Sequence, residues 1–177
     1  KRQEQIYRVY TLNLPFAKNI HSYRDAVIEL IEQKGLAKVI LVGWSMGALV
    51  AIQVAHQLPH KVQGLVLVSG TSRFLADSQS GIQTDLYPGG IPAALVIRMK
   101  KRLSKNWEQT ITDFYKLMFS TQEQAQGLAE KTIAAYLGRG RIWDMIEAQA
   151  GLDFLMEADV RAELNAITCP TLLLHGE

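Results

Sequence analysis

The chain has 177 residues, 48% of them hydrophobic and 20% charged, and a formal net charge of +2. This length and composition indicate one globular domain and exclude a disordered chain, a collagen-like chain and a disulfide-stapled miniprotein. The near-neutral charge predicts no general attraction to nucleic acid or to an anionic membrane. The single Cys169 cannot form an internal disulfide, so we expect a small buried side chain and a reducing, cytoplasmic setting.

Predicted strands and helices alternate over the first part of the chain. They are a strand at residues 7–12, a helix at 24–33, a buried strand at 39–42, a helix from Met46 to about Leu58 and a buried strand at 62–69. We expect Ser22 to cap the first helix and Gly35 to end it. This alternation predicts an α/β fold in which right-handed βαβ units form a parallel sheet that is apolar on both faces.

The pattern changes after Thr71, because residues 74–164 contain no convincing strand. Four helical runs fill this segment: Ala93–Leu103, Trp107–Phe119, Gln122–Leu137 and Arg141–Met156. The sheet is predicted to resume at residues 170–175. We therefore expect residues 1–73 and 165–177 to form the α/β core and residues 74–164 to form an inserted helical module.

Gly43-Trp44-Ser45-Met46-Gly47 is a G-x-S-x-G sequence between a predicted strand and a predicted helix, a context typical of a nucleophile elbow. Such a turn strains the serine backbone, and we expect both glycines to avoid Cβ collisions. The Ser45 hydroxyl is then exposed as a nucleophile, and the backbone N–H of Met46 supplies half of an oxyanion hole. The alternative is a glycine-bounded turn without chemistry.

Several segments carry a resemblance to a known family. They are residues 39–47 and 65–74, Tyr87-Pro88-Gly89, and residues 113–118, 151–155 and 159–164. In them the chain resembles the α/β-hydrolase family, and the later segments are similar to its carboxylesterases that demethylate pimeloyl-acyl-carrier-protein methyl ester in biotin synthesis. The resemblance implies that the helical module is a cap over the active site. The implied substrate-binding residues are Trp44, Phe114, Tyr115, Lys116, Leu117 and Met118. Alternatively, Phe114, Leu117 and Met118 pack inside the cap.

Two positions depart from the family pattern. Residues 13–18 lack both glycines of the usual Asp-x-Pro-Gly-x-Gly loop, so this rim of the site takes a different path. Ala48 stands where a second glycine often follows the elbow, a mild change because alanine favours a helix.

A serine nucleophile needs a base and an acid, which follow it in this architecture in the order Ser, Asp or Glu, His. By resemblance both fall beyond Glu177, so the general base and acid are absent and we expect an internal part of a longer hydrolase or a shortened gene product. His56 lies about 16 Å along the helix from Ser45, and His60 lies at the amino end of a strand. His21 and His175 follow predicted strand ends on the correct edge and stay open as bases.

Five cations within eight residues form a basic run near the start of the helical module. They are Arg98, Lys100, Lys101, Arg102 and Lys105. The resemblance implies an acidic partner, acyl carrier protein, for this run. The alternative is a solvated helix face opposite an apolar side of Ala94, Leu95, Ile97 and Leu103.

Together these features predict a serine carboxylic-ester hydrolase that cleaves an acyl methyl ester, carrier-linked, through an acyl-Ser45 intermediate. Alternative hypotheses for the enzyme are a thioesterase or a general carboxylesterase. A hypothesis of a different class is a catalytically incomplete module that binds a carrier without turnover. We expect no metal and no organic cofactor, since the sequence has no ligand cluster and no phosphate-binding glycine loop.

Overall fold

The computed structural model describes residues 7–14, 19–77, 87, 89–137 and 144–176. Its strands are β1 (Val39–Trp44), β2 (Val62–Val68) and β3 (Thr171–Leu174). Its α-helices are α1 (Ser22–Gln33), α2 (Met46–Gln57), α3 (Ala93–Lys105), α4 (Trp107–Lys116), α5 (Thr121–Ala125), α6 (Leu128–Leu137) and α7 (Met145–Glu157), and a 3-10 helix spans Arg161–Ala166. Among the described helices, none has the length and apolar character needed to cross a membrane.

The three strands form one parallel sheet in the order β1-β2-β3, which confirms the α/β prediction. Helix α2 packs on one face of the sheet, and α1 packs on α2. The side chains of Leu49 and Val54 on α2 are fully buried in this core. On the other face, Ile40, Val42 and Trp44 are exposed in the alternating pattern of a strand that is covered on one side.

The start of α1 differs from the prediction. Ser22 is the first helical residue and His21 precedes it without a side-chain cap. Asn19 organises this turn instead, because its side-chain oxygen accepts the His21 backbone N–H at 2.9 Å and its own N–H donates to Ser22 Oγ at 3.0 Å. The predicted end is confirmed: Gly35 has φ +60° and its N–H donates to the Glu32 carbonyl oxygen at 2.9 Å.

The strand predicted at residues 7–12 is wrong, because these residues have no regular secondary structure. A β-rich composition produces a strand only where a neighbouring strand pairs with its N–H and C=O groups. None of the three described strands pairs with residues 7–12. Of the predicted rim, only residues 13 and 14 are described; residues 15–18 lie outside the described part.

Helix boundaries in the 93–157 segment depart from the prediction at several points. α4 ends at Lys116 instead of Phe119. The run predicted as one helix at 122–137 is two helices, because Gly127 adopts φ +71° between α5 and α6. α7 begins at Met145 behind a capping box formed by Asp144 and Glu147, whereas residues 141–143 lie outside the described part. The 3-10 helix was not predicted.

The helices of this segment have their own hydrophobic cluster. It contains Leu75, Val96, Leu103, Ile111, Tyr115, Ile133 and Leu152. α7 joins it to the sheet core, because Leu152 lies in the helical cluster while Phe154 packs edge-on against Tyr23 of α1, with ring centroids 5.1 Å apart. Between residues 74 and 164 the described part has isolated bridges but no strand, as predicted.

Candidate active site at the carboxyl edge of the sheet

Ser45 occupies a strained turn between β1 and α2. Its backbone has φ +52° and ψ −116°, outside the regions that L-residues ordinarily adopt. Two hydrogen bonds hold this geometry: the Ser45 N–H donates to the Val68 carbonyl oxygen of β2, and the Ala48 N–H donates to the Ser45 carbonyl oxygen, both at 2.9 Å. The predicted backbone strain is therefore present, enforced by the neighbouring strand and by the first turn of the helix.

The two glycines of the motif have different roles. A Cβ on Gly43 would lie 2.3 Å from the Gly47 carbonyl oxygen and 2.7 Å from the Ala48 Cα, so only glycine fits there. A Cβ on Gly47 would meet no other atom of the described residues within 4 Å, apart from the nearby backbone of its own helix. The prediction of a steric need is thus confirmed for Gly43 and wrong for Gly47, because Gly47 points away from the sheet.

Gly70 explains how Ala48 is accommodated. Ala48 is fully buried, and a Cβ on Gly70 would lie 2.6 Å from the Ala48 Cβ. The chain leaving β2 therefore passes directly over the first turn of α2. At this close approach the glycine is Gly70 on the crossing chain, and the position on the helix is occupied by Ala48. Sequence reasoning noted the change at Ala48 but missed its partner, although the Ser69-Gly70 pair after a predicted strand is a turn signal.

Met46 and Trp44 flank Ser45 at this edge. Met46 is the first residue of α2, so its N–H has no carbonyl partner one turn earlier in the helix and lies at the positive end of the helix dipole. The Met46 side chain lies beside α7, where a Cβ on Gly151 would be 3.6 Å from its Sδ atom. Trp44 ends β1 and is 49% exposed, which leaves an indole surface available next to Ser45.

The four histidines are all exposed, and one of them lies at the predicted edge. His175 directly follows β3, and its Nδ1 is 3.1 Å from the Gly176 carbonyl oxygen. His56 lies in the last turn of α2 and His60 precedes the amino end of β2, both away from Ser45 as expected. The prediction that His21 lies at this edge is wrong, because the strand predicted at residues 7–12, which would have placed it there, is not formed.

The predicted acyl-binding run at 114–118 divides between the helical cluster and the surface. Tyr115 is 5% exposed inside the cluster, and the Phe114 ring is 5.9 Å from the Tyr115 ring. Leu117 is 83% exposed and Met118 is 40% exposed, in the turn that follows Lys116, the last residue of α4. The alternative that Leu117 and Met118 pack inside the helical module is therefore wrong.

Two of the five cations of the basic run are neutralised by the helices around them. Lys100 Nζ pairs with the Asp153 carboxylate of α7, and Arg102 pairs with the Asp113 carboxylate of α4. Hydrogen bonds from Arg102 and from Gln109 lower the pKa of Asp113 and keep it ionised. These pairs tie α3 to its neighbours and leave less positive charge for a partner.

The other three cations, Arg98, Lys101 and Lys105, have no ion-pair partner among the residues that the structure describes. They are exposed and recur at a spacing of three and four residues, which places them on one face of α3. We call these three residues the free cationic face.

The apolar side predicted for α3 is wrong except at Leu103. The buried face consists of Val96, Met99 and Leu103, which also recur at three and four residues. Leu95 and Ile97 are 52% and 44% exposed, and Ala94 is exposed as well. A run with apolar residues at nearly every position from Ala93 to Ile97 does not distinguish the two faces by periodicity.

Four charged side chains form a junction where the chain enters and leaves the helical segment. Arg73 pairs with Asp77 and lies 3.6 Å from Asp159, while Arg161 lies 2.7 Å from Asp159 and 3.8 Å from Asp77. The backbones of Arg73 and Asp159 also form an antiparallel bridge. Sequence reasoning missed this charged junction, because its two halves are far apart in the chain.

Tyr87 completes the charged junction. Its N–H donates to Asp77 Oδ2 at 2.8 Å, its hydroxyl is 2.9 Å from Thr71 Oγ1, and the Arg161 guanidinium lies over its ring at 5.5 Å from the centroid. The hydrogen bond from Tyr87 and the Arg73 guanidinium lower the pKa of Asp77, and the hydrogen bond from Arg161 lowers that of Asp159. Both carboxylates are therefore ionised at neutral pH.

Comparison with known proteins gives consistent family matches. The family described as "alpha/beta hydrolase fold" matches residues 4–177. The chain is 34% identical over 155 residues to the pimeloyl-[acyl-carrier protein] methyl ester esterase of Nitrosomonas europaea, covering 86% of this chain and 57% of that protein. It is 29% identical over 177 residues to the protein of the same name from Shewanella sp. (strain MR-7), covering 96% of this chain and 63% of that protein.

Solved structures show the same fold at lower identity. A bromoperoxidase from Bacillus anthracis superposes with a TM-score of 0.76 at 19% identity, covering 92% of this chain and 58% of that one. An esterase from Exiguobacterium antarcticum gives 0.70 at 20% identity, covering 92% and 57%. The chain thus spans less than two thirds of the length of these relatives and structural neighbours.

Proposed function

Because the chain belongs to the alpha/beta hydrolase family, we propose that it supplies Ser45 as the nucleophile of a carboxylic-ester hydrolase. The observation that carries this proposal is the backbone of Ser45, which is held at φ +52° between the end of β1 and the first turn of α2. A serine that only connected a strand to a helix would gain nothing from this strain, and a glycine would serve better.

The proposed reaction has two steps. The Ser45 Oγ attacks the acyl carbonyl carbon while an imidazole base takes the hydroxyl proton, and the Met46 N–H stabilises the negative charge that develops on the carbonyl oxygen. The tetrahedral intermediate then breaks its bond to the alkoxy oxygen, which leaves as the alcohol after the imidazolium returns the proton. Water, activated by the same base, cleaves the acyl-serine and releases the acid.

For the substrate we propose a methyl ester of an aliphatic acyl chain that is linked to a carrier protein. The names of the relatives from Nitrosomonas europaea and Shewanella support this class of substrate. Exposed apolar groups on this chain fit an aliphatic ligand, namely Trp44 beside Ser45 and the exposed side chains of Leu117 and Met118. In this proposal residues 74–164 act as the cap, residues 1–73 and 165–177 as the core, and the protein works in the cytoplasm.

The free cationic face supports a second candidate function, carrier binding without turnover. Arg98, Lys101 and Lys105 offer to an acidic carrier protein, such as acyl carrier protein, three exposed charges that have no ion-pair partner among the described residues. The two functions differ in one measurable respect. An ester hydrolase releases methanol from a carrier-linked methyl ester, whereas a binding module retains the carrier with its ester intact.

Covalent labelling tests the proposed nucleophile. A fluorophosphonate probe reacts with an activated serine, and intact-mass measurement with peptide mapping identifies the labelled residue. We expect an adduct on Ser45 in the longest form of the chain that its gene encodes, and none in the Ser45→Ala variant. A folded wild-type protein that gives no adduct would overturn the esterase proposal, and carrier binding by that protein would favour the second candidate. Methyl esters, thioesters and carrier-linked esters, compared by kcat/KM, then separate a methyl esterase from a thioesterase or a general carboxylesterase.

A further inference from the structure

A second serine at the carboxyl edge of the sheet has a positive backbone φ, as Ser45 has. In the part of the chain that the structure describes, Ser45 and Ser69 are the two residues other than glycine with a positive φ, +52° and +47°. Ser69 is exposed, and its hydroxyl has no hydrogen-bond partner among the described residues. The mechanism described above does not use this hydroxyl.

The strand register puts Ser69 directly beside Ser45. Trp44 pairs with Val68 and Val68 pairs with Leu174, so the residues that follow them, Ser45, Ser69 and His175, form a row across the three strand ends. Backbone hydrogen bonds fix the row: Ser45 N–H donates to the Val68 carbonyl at 2.9 Å, and Ser69 N–H donates to the Leu174 carbonyl at 2.7 Å. Since neighbouring strands are about 4.8 Å apart, Ser69 fills the gap between Ser45 and the end of β3.

Packing does not require a side chain at position 69. The steric demand of this turn falls on Gly70, which passes over Ala48, and the Ser69 side chain projects into solvent. A glycine would adopt φ +47° without cost, so the serine retains a hydroxyl at the expense of stability.

Ser69 lies on the side of Ser45 from which we expect the base to come. Functional groups of a parallel sheet lie outside the carboxyl ends of its strands, and in this architecture the acid and the histidine follow the nucleophile in the chain. β2 and β3 are the described strands that follow Ser45, and β2 ends in Ser69. The strand register places Ser69 between Ser45 and His175 in the row of residues that follow the strand ends, so an imidazole on the β3 side of Ser45 has Ser69 as its neighbour.

We propose that Ser69 is a positioning residue for the imidazole base of Ser45, its hydroxyl making a hydrogen bond to the base or to the carboxylate that orients the base. This inference rests on the proposed function, because it requires Ser45 to be an activated nucleophile. The hydroxyl restricts the orientation of the imidazole and stabilises the ionised form of the pair. It contributes no bond-making or bond-breaking step of its own.

The test measures the rate at which a fluorophosphonate probe labels Ser45, as a function of pH, in wild type and in variants at position 69. We expect Ser69→Ala to lower the second-order labelling rate about tenfold and to move the pH midpoint of the rate, because the base loses a hydrogen-bond partner. Ser69→Asn keeps a hydrogen-bonding side chain on a residue that tolerates a positive φ, and it is expected to retain more of the rate than Ser69→Ala. Ser69→Gly also loses the hydroxyl but relieves the backbone, so it should be as slow as Ser69→Ala while unfolding at a higher temperature.

The outcomes separate the two proposals. If Ser69→Ala labels with the wild-type rate and pH midpoint, Ser69 has no positioning role while the nucleophile stands. If Ser69→Gly is slow but Ser69→Ala is not, the backbone geometry matters and the hydroxyl proposal is overturned. If wild type itself is not labelled, the esterase proposal fails and the role of Ser69 falls with it.

Discussion

Polar side chains have hydrogen-bond or ionic partners in one region of the molecule and, among the described residues, lack them in another. The two regions are the charged junction of Arg73, Asp77, Asp159 and Arg161, and the strand ends around Ser45. At the strand ends, the backbone is strained and the hydroxyls of Ser45 and Ser69 have no partner within the described residues. In the charged junction, where the chain enters and leaves the helical segment, each of the four charged side chains has an ionic partner.

The difference indicates which of the two regions is available for chemistry. Paired charges lower the free energy of one arrangement of the backbone and are costly to separate. Strained backbone and unpaired hydroxyls are costly in the folded state and persist only where surrounding contacts enforce them. We infer that the charged junction holds the helical segment in place while the strand ends carry the reaction. Substitutions at the strand ends should therefore change activity, and substitutions in the charged junction should change stability.

Removal of the Ser45 hydroxyl should separate activity from stability. We expect Ser45→Ala to lower ester hydrolysis by about 10³-fold or more, because the proposed nucleophile is lost. The free energy of unfolding should stay within about 0.5 kcal/mol of wild type, since the Ser45 side chain makes no hydrogen bond in the described structure. Steady-state hydrolysis and urea denaturation of the same preparations provide the two measurements. A large loss of stability would show that the hydroxyl has a structural role and would remove the contrast with the charged junction.

The two glycines of the motif offer a matched pair of substitutions. We expect Gly43→Ala to destabilise the fold by about 3 kcal/mol or more, because its Cβ would lie 2.3 Å from the Gly47 carbonyl oxygen. Gly47→Ala is the control, and its stability should equal or exceed that of wild type by up to about 1 kcal/mol. Equal destabilisation by both substitutions would contradict the packing of α2 against β1 described above. Denaturant unfolding at neutral pH measures both variants.

The motif also shows where sequence reasoning succeeds. The strand, the turn and the helix around Ser45 could be predicted because every determinant lies within nine consecutive residues, from the β-branched run at Val39 to the glycine at Gly47. The requirement at Gly70 and the position of Ser69 could not, because they depend on the register between β1 and β2. That register is a contact between distant segments.

The helical segment was less predictable for physical reasons that particular residues illustrate. Leu117 and Met118 are apolar and yet exposed, and nothing in their own sequence distinguishes them from the buried Ile111 and Tyr115 of α4. The charged junction escaped notice because Asp159 and Arg161 meet Arg73 only in the folded chain. The strand predicted at residues 7–12 fails for the complementary reason, since a strand cannot form without a partner.

The charged junction should give stability a defined dependence on pH. The pKa values of Asp77 and Asp159 are lowered in the folded state, so their contribution to stability is complete above their unfolded pKa of about 4 and is lost as the pH falls through the lower folded values. We expect the double variant Asp77→Asn, Asp159→Asn to unfold at lower denaturant concentration than wild type at pH 7. The gap should shrink steadily below pH 4.

Asp25 provides the control for this experiment, because it is an exposed aspartate of α1 outside the charged junction. The denaturant concentration at the midpoint of unfolding should be nearly the same for Asp25→Asn and wild type, at pH 7 and at pH 3. A gap between the double variant and wild type that is constant from pH 7 to pH 3 would show that the carboxylate charges do not stabilise the junction.

The smallest effect is expected at the free cationic face. A charge reversal, Lys101→Glu, should slow association with an acidic carrier protein by several-fold at low salt, and the difference should diminish as salt screens the charges. Lys34→Glu makes the same charge change at the exposed end of α1 and serves as the control. Stopped-flow association at two ionic strengths distinguishes the outcomes. If both variants slow association equally, the net charge of the protein determines the encounter and α3 does not. If neither variant slows association, the free cationic face is an ordinary solvated helix face, and the contrast with the charged junction is limited to the hydroxyls at the strand ends.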